Sequence, residues 1–152
     1  MVYFQAGIGK TESILTQPLS QLPKTNIIAS NRPFPNRDIT NPEDLGFMIR
    51  GHLVGTIFFP FWSWKVPKEI TDAHTCIGFH TGSIAGGSPI QNLIKKGATI
   101  SYLRMFYMNN EIDGGKTIDS EQISLLGSLE EIILRMTKLM EGMIDEFQKT
   151  NR

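Results

Sequence analysis

The sequence predicts a single α/β domain of Rossmann-like type, with a mostly parallel sheet flanked by helices. Three observations carry this. Residues 54–59 are a β-branched and aromatic run, too apolar for a strand with one face in water, and such runs suit a sheet covered on both sides. Segments of strand character alternate with segments that open on helix-capping residues. Residues 129–147 repeat apolar side chains at helical spacing, as a long helix covering one face of a sheet would. With 152 residues, 40% of them hydrophobic and 20% charged, the chain is long enough for one domain with a substantial core.

Taken in order, residues 1–25 are polar and include Gly7, Gly9, Pro18 and Pro23. They read as a poorly specified extension with one short helix around residues 11–17, leaving residues 26–152 as the domain proper. Residues 26–30 read as a short buried strand, after which Pro33 and Pro35 break any regular element. Asn41-Pro42-Glu43-Asp44 supplies a cap, a proline at the first helical position and early acids, predicting a helix that ends near Gly51.

The clearest strand follows at residues 54–59. Residues 76–80 form another buried strand ending on His80, and Gly82, Gly86 and Gly87 make the next segment a loop. Ser88-Pro89-Ile90-Gln91 has the capping-box pattern, so a helix runs from there through Lys95-Lys96 and stops at Gly97. Residues 99–108 alternate in the β manner. Residues 109–115 are turn-rich, and a further strand is expected at 116–123. Ser128-Leu129-Glu130-Glu131 is a second capping box opening the last helix. Its stripe is Leu129, Ile132, Ile133, Met136, Leu139, Met140, Met143, Ile144 and Phe147, with the methionines read as core packing.

Composition excludes several classes of function. Fifteen basic and fifteen acidic side chains cancel, so no overall field attracts nucleic acid or an anionic membrane. Cys76 is the sole cysteine, which rules out an intrachain disulfide and reads as a small buried hydrophobe. No apolar run approaches the roughly 20 residues of a membrane helix, and the N-terminus lacks a signal-peptide pattern. A cytoplasmic location is the expectation. Gly9-Lys10-Thr11 resembles the end of a phosphate-binding loop, but Phe4 stands where that loop needs glycine. His52, His74, His80 and Cys76 lack metal-ligand spacing, and no Gly-x-Ser-x-Gly elbow is present.

The constellation that carries chemistry is distributed. An aromatic strand and turn run through Phe58-Phe59-Pro60-Phe61-Trp62-Ser63-Trp64-Lys65-Val66-Pro67. Phe79-His80 comes next, then Gly86-Gly87-Ser88-Pro89-Ile90-Gln91, then Glu111-Ile112-Asp113-Gly114-Gly115. In parallel sheets ligands bind beyond the carboxyl ends of strands, which places His80 and the Asp113 loop at one edge. Here the sequence resembles the formyltransferase catalytic domain shared by methionyl-tRNA, glycinamide-ribonucleotide and nucleotide-sugar formyltransferases. It is closest in wording to small bacterial members associated with modified sugars. The resemblance covers residues 54–147 well and residues 26–53 loosely.

That resemblance implies a folate-dependent N-formyltransferase with 10-formyltetrahydrofolate as formyl donor. The acceptor would be a small amine, a nucleotide-linked amino sugar first among them. It assigns catalysis to His80 and Asp113. It assigns cofactor binding to Phe59, Phe61, Trp62 and Val66 of the aromatic turn and to Ile112 and Gly114 of the loop. Three departures qualify it. The family motif has asparagine two residues before the histidine, where this chain has Gly78. The loop over residues 81–85 is shorter than its counterpart. The N-terminal half is reduced by a strand–helix segment, which would leave sheet surface for a homo-oligomer to cover. The competing expectation is therefore a catalytically inactive formyltransferase-like module that binds or assembles. For each residue a plainer role also stands: His80 as a satisfied strand-end polar group, Asp113 as the aspartate of an Asp-Gly turn, and Trp62 and Trp64 as packing.

Overall fold

The computed structural model describes residues 24–51, 54–81, 89–109 and 115–151. The short helix expected around residues 11–17 lies outside them. In chain order the described elements are β1 (Thr25–Ile28), α1 (Pro42–Gly51), β2 (Val54–Phe59), α2 (Lys68–Ala73) and β3 (Thr75–Thr81). They continue with α3 (Pro89–Lys95), β4 (Ile100–Tyr107), β5 (Thr117–Ser124) and α4 (Leu129–Thr150). The five strands form one sheet in the order β1-β2-β3-β4-β5. β1, β2 and β3 are parallel, and β4 and β5 then return antiparallel. The fold is the Rossmann-like α/β arrangement that the alternation of elements predicts, closed on one side by an antiparallel ribbon.

Local chemistry sets the element ends. Asn41 caps α1 by accepting from the Asp44 amide at 3.0 Å, with its own amide on the Asp44 carboxylate. Ser128 and Glu131 form the expected reciprocal capping box at the start of α4. Gly97, at φ +82°, ends α3 in the left-handed conformation that glycine adopts without a Cβ clash. α2 was not legible: it is six residues long, buries none of them and has no side-chain cap.

Strand alternation divides the core in two. On one face Phe58, Ile77, Leu103, Met105 and Ile123 pack against Ile132, Met136, Met140, Met143, Ile144 and Phe147 of α4. The α4 methionines are core residues, as expected. Leu129, placed on the same stripe by its spacing, is exposed in the first turn, where the helix has yet to reach the sheet. On the other face Ile27, Ile57, Phe59 and Cys76 pack with Leu45 of α1 and with Val66, and Ile70 of α2 lies against them. This second core stops at β3. Beyond it, on the same face, stand Gly78, His80, Arg104 and Phe106.

Candidate active site

The carboxyl ends of β2 and β3 lie side by side, with Phe59 opposite Gly78 in the parallel register. The chain leaves β2 through Pro60 into a turn in which Phe61 adopts φ +53°. A bulky residue in the left-handed region costs about 1–2 kcal/mol, so neighbouring contacts must hold it. Asn31 does so. Its amide N–H donates to the Phe61 carbonyl at 3.2 Å, and its side-chain oxygen accepts from the Ser63 amide at 2.6 Å.

The reversal at Phe61 separates the aromatic residues. Phe61 faces the α4 side, its ring edge-on to Phe34 at 6.4 Å. Trp62 turns to the other face and meets Phe59 at 5.5 Å and Trp64 at 5.5 Å, both edge-to-face. Phe59 and Val66 are buried and form the floor of the turn, while Trp64 is 49% exposed. Trp62 Nε1 is buried and has no hydrogen-bond partner among the described residues. A buried donor without a partner costs about 1–3 kcal/mol, and a ligand acceptor would relieve that cost. The turn thus offers edge-to-face aromatic rings and a donor unmet among the described residues, which fits a flat heterocycle carrying ring acceptors.

His80 is half-buried, one residue before the end of β3, and is paired across the sheet with Arg104 of β4. Gly78 is paired with Phe106. Directly opposed residues of an antiparallel pair share a face, so Gly78, His80, Arg104 and Phe106 form one patch. The patch is crowded at Gly78. A Cβ there would meet Phe106 Cζ at 2.8 Å and Met108 Cγ at 3.0 Å. The Phe106 ring therefore occupies the space that a polar side chain at position 78 would need.

Arg104 links this patch to the Asp113 loop. Its Nε donates to Thr117 Oγ1 at 2.6 Å, its Nη2 donates to the Gly115 carbonyl, and its guanidinium lies 4.5 Å from the centre of the Phe106 ring. Asp113, Ile112 and Gly114 lie outside the described residues. The neck of their loop is fixed by the Met108 amide donating to the Cys76 carbonyl at 2.8 Å and the Tyr107 amide donating to the Lys116 carbonyl at 2.9 Å. Gly115 lies so close that a Cβ on it would overlap the Tyr107 carbonyl oxygen. That neck stands beside the start of β3, about 13 Å from His80 by strand rise. Sequence reasoning put both at the carboxyl edge. In the fold, Arg104 spans the interval, from the register of His80 to Gly115.

Other chemistry is absent from the patch. Cys76 is buried, and desolvation pushes its thiol up to about 12, so it is no thiolate at neutral pH. Among the described residues, no group of three His, Cys, Asp or Glu side chains is placed to hold a metal ion. Among the same residues, no helix is long and apolar enough to cross a membrane. Sequence reasoning missed Asn31, Arg104 and Phe106. The one signal for Arg104 was a lone charge within the alternating apolar run of β4.

No family model matches the sequence, and no curated protein sequence matches it. Solved structures do. Methionyl-tRNA formyltransferase from Clostridium thermocellum is 30% identical with a TM-score of 0.75, over 84% of this chain and 66% of that one. HypX from Aquifex aeolicus in complex with tetrahydrofolic acid gives a TM-score of 0.63 at 14% identity, over 84% of this chain and 27% of that one. Phosphoribosylglycinamide formyltransferase from Streptococcus pneumoniae gives 0.59 at 14% identity, over 71% and 64%. The last two agree in fold alone, and this chain spans just under two thirds of the first. By its fold, and by its sequence likeness to the first of these, the chain belongs to the formyltransferase-like family.

Proposed function

We propose that this domain transfers a formyl group from 10-formyltetrahydrofolate to the amine of a small acceptor, with a nucleotide-linked amino sugar as the favoured substrate. The observation that carries the reading is the buried Trp62 N–H, without a partner among the described residues, in an aromatic turn beside the strand end that presents His80. The balanced charge of the chain favours a small acceptor over a polyanionic RNA, which would draw on a basic surface.

When bound, the folate supplies an activated formyl carbon: the acceptor nitrogen bonds to it, its bond to N10 breaks, and the proton lost by the amine is balanced by one gained at N10. The residues divide the remaining work. His80 donates a hydrogen bond to the formyl oxygen as negative charge develops there. Asp113 accepts the amine proton, directly or through a water. Phe59 and Val66 hold the turn rigid from below, and Trp62 donates its indole N–H to the heterocycle. Phe61 fixes the reversal that aims Trp62. Ile112 and Gly114 are the loop residues that the family resemblance assigns to folate contact, glycine allowing close backbone approach.

The test combines binding with turnover. A thermal-shift titration with a reduced folate should raise the melting temperature, by an amount that grows with ligand concentration. Incubation with 10-formyltetrahydrofolate and a panel of aminosugar nucleotides should give formylated product, reduced about 100- to 1,000-fold in His80→Ala. Absence of both folate binding and turnover would overturn the reading. A second reading, an inactive binding module, draws on one observation: the ring of Phe106 fills the space above Gly78 that the family's asparagine would use. It predicts folate binding without turnover, and His80-dependent turnover would eliminate it.

A further inference from the structure

We infer that Arg104 recognises the formyl group of the donor, supplying beside His80 the hydrogen-bond donor that Gly78 cannot. The inference rests on the folate-dependent reading above.

Three observations lead to it. Arg104 is the direct cross-strand partner of His80, so both side chains rise from the same face of the sheet. The guanidinium does not extend into solvent at random. Its Nε is held by the Thr117 hydroxyl, its Nη2 by the Gly115 carbonyl, and its Cζ lies over the Phe106 ring, 4.5 Å from the centre. That ring, in turn, reaches toward Gly78, with Cζ 2.8 Å from where a Cβ on residue 78 would stand. Glycine at 78, phenylalanine at 106 and arginine at 104 are thus one arrangement. The missing side chain admits the ring, and the Arg104 guanidinium lies 4.5 Å from the centre of that ring.

The chemistry of the exchange favours a carbonyl oxygen as the ligand atom. A guanidinium is a planar, permanently charged donor set, and bonds from it are stronger than those from a neutral amide. Held by the Thr117 hydroxyl, the Gly115 carbonyl and an aromatic face among its contacts, it is already oriented and loses little freedom on binding. A donor fixed before the ligand arrives is the kind that stabilises charge developing on an oxygen. The carbonyl oxygen of a formyl group next to His80 is such an atom.

The experiment compares two ligands that differ only in the formyl group, 10-formyl-5,8-dideazafolate and 5,8-dideazafolate, by thermal-shift or calorimetric titration of the full chain. The wild type should bind the formylated compound about tenfold more tightly, the worth of one charge-assisted hydrogen bond. Arg104→Met should lose that preference while keeping its affinity for the unformylated compound. Arg104→Lys, which keeps charge but not the fork, should retain part of it. Should Arg104→Met fail to fold, Thr117→Val removes one anchor of the guanidinium and should weaken the preference without touching the charge. If the wild type shows no preference, or Arg104→Met retains it, Arg104 has no such role and the folate reading stands. If Arg104→Met loses both ligands equally, the residue is a structural staple and the inference falls. If neither ligand binds the wild type, the folate reading falls and takes this inference with it.

Discussion

The two faces of the sheet solve different problems with the same strands. On the α4 side, β2, β3, β4 and β5 all contribute buried apolar residues, which form one cluster with the buried face of the 22-residue helix. On the opposite side the main apolar cluster ends at β3, with Phe106 of β4 buried beyond it. Alternate residues of β4 show the difference directly. Ser101, Leu103 and Met105 are buried under α4, whereas Ile100 and Tyr102, on the opposite face, are 48% and 54% exposed. Between the covered and the open parts of that second face stand Gly78, His80, Arg104 and Phe106. One face therefore holds the fold together, and the margin of the other is where chemistry has room.

The comparison is broken most forcefully on the covered face. Phe58 is fully buried and meets Phe147 edge-to-face at 5.7 Å. Phe58→Ala should cost about 3–5 kcal/mol, from lost burial and a cavity that rigid neighbours cannot fill. Urea denaturation with an unchanged slope would measure it. On the open face, Tyr102→Ala should change stability by no more than about 0.5 kcal/mol. An equal loss at both positions would mean that the open face is packed after all.

A smaller effect sharpens the boundary itself. Gly78→Ala places a Cβ against the Phe106 ring, whose buried position gives it little room to move, and should cost about 1–3 kcal/mol by overpacking. Phe106→Leu shortens that ring and should recover much of the loss, so the two substitutions together should cost less than their sum. Strict additivity in urea denaturation would show that the ring and position 78 do not compete for space.

Much of this architecture is legible in the sequence, because the signals are local. The apolar run of β2, the capping box of α4, the stop at Gly97 and the stripe of α4 each depend on residues within one element. α2 was invisible for the same reason: it has no apolar period and no cap to announce it. The antiparallel turn of β4 and β5 was equally hidden, since a strand's direction is set by its partner rather than by its own residues. The site divides in the same way. His80 shows itself at the end of a strand and the aromatic turn shows itself by composition. The left-handed Phe61, the pin from Asn31 and the stacking of Arg104 on Phe106 are long-range relations that no single segment contains.

The smallest predicted effect lies farthest from the site and tests whether the covered face is independent of it. In the capping box of α4, the Glu131 carboxylate accepts from the Ser128 amide at 3.0 Å, and the Ser128 hydroxyl accepts from the Glu131 amide at 3.1 Å. Ser128→Ala should cost about 1 kcal/mol, a fall of about 2–4 °C in Tm. Those bonds, the one from the Ser128 backbone foremost, hold the Glu131 carboxyl below its ordinary value of 4.5. The native state therefore favours the ionised form. Its contribution is fully present above pH 4.5 and is lost as the pH falls through the lower native value. The Tm difference between wild type and Glu131→Gln should accordingly be constant near neutrality and shrink in acid. A difference that instead grows with acidity would reverse the assigned sign. Because the box touches only the α4 side, folate binding by either variant should match the wild type, and a loss of binding would show that the two faces are coupled.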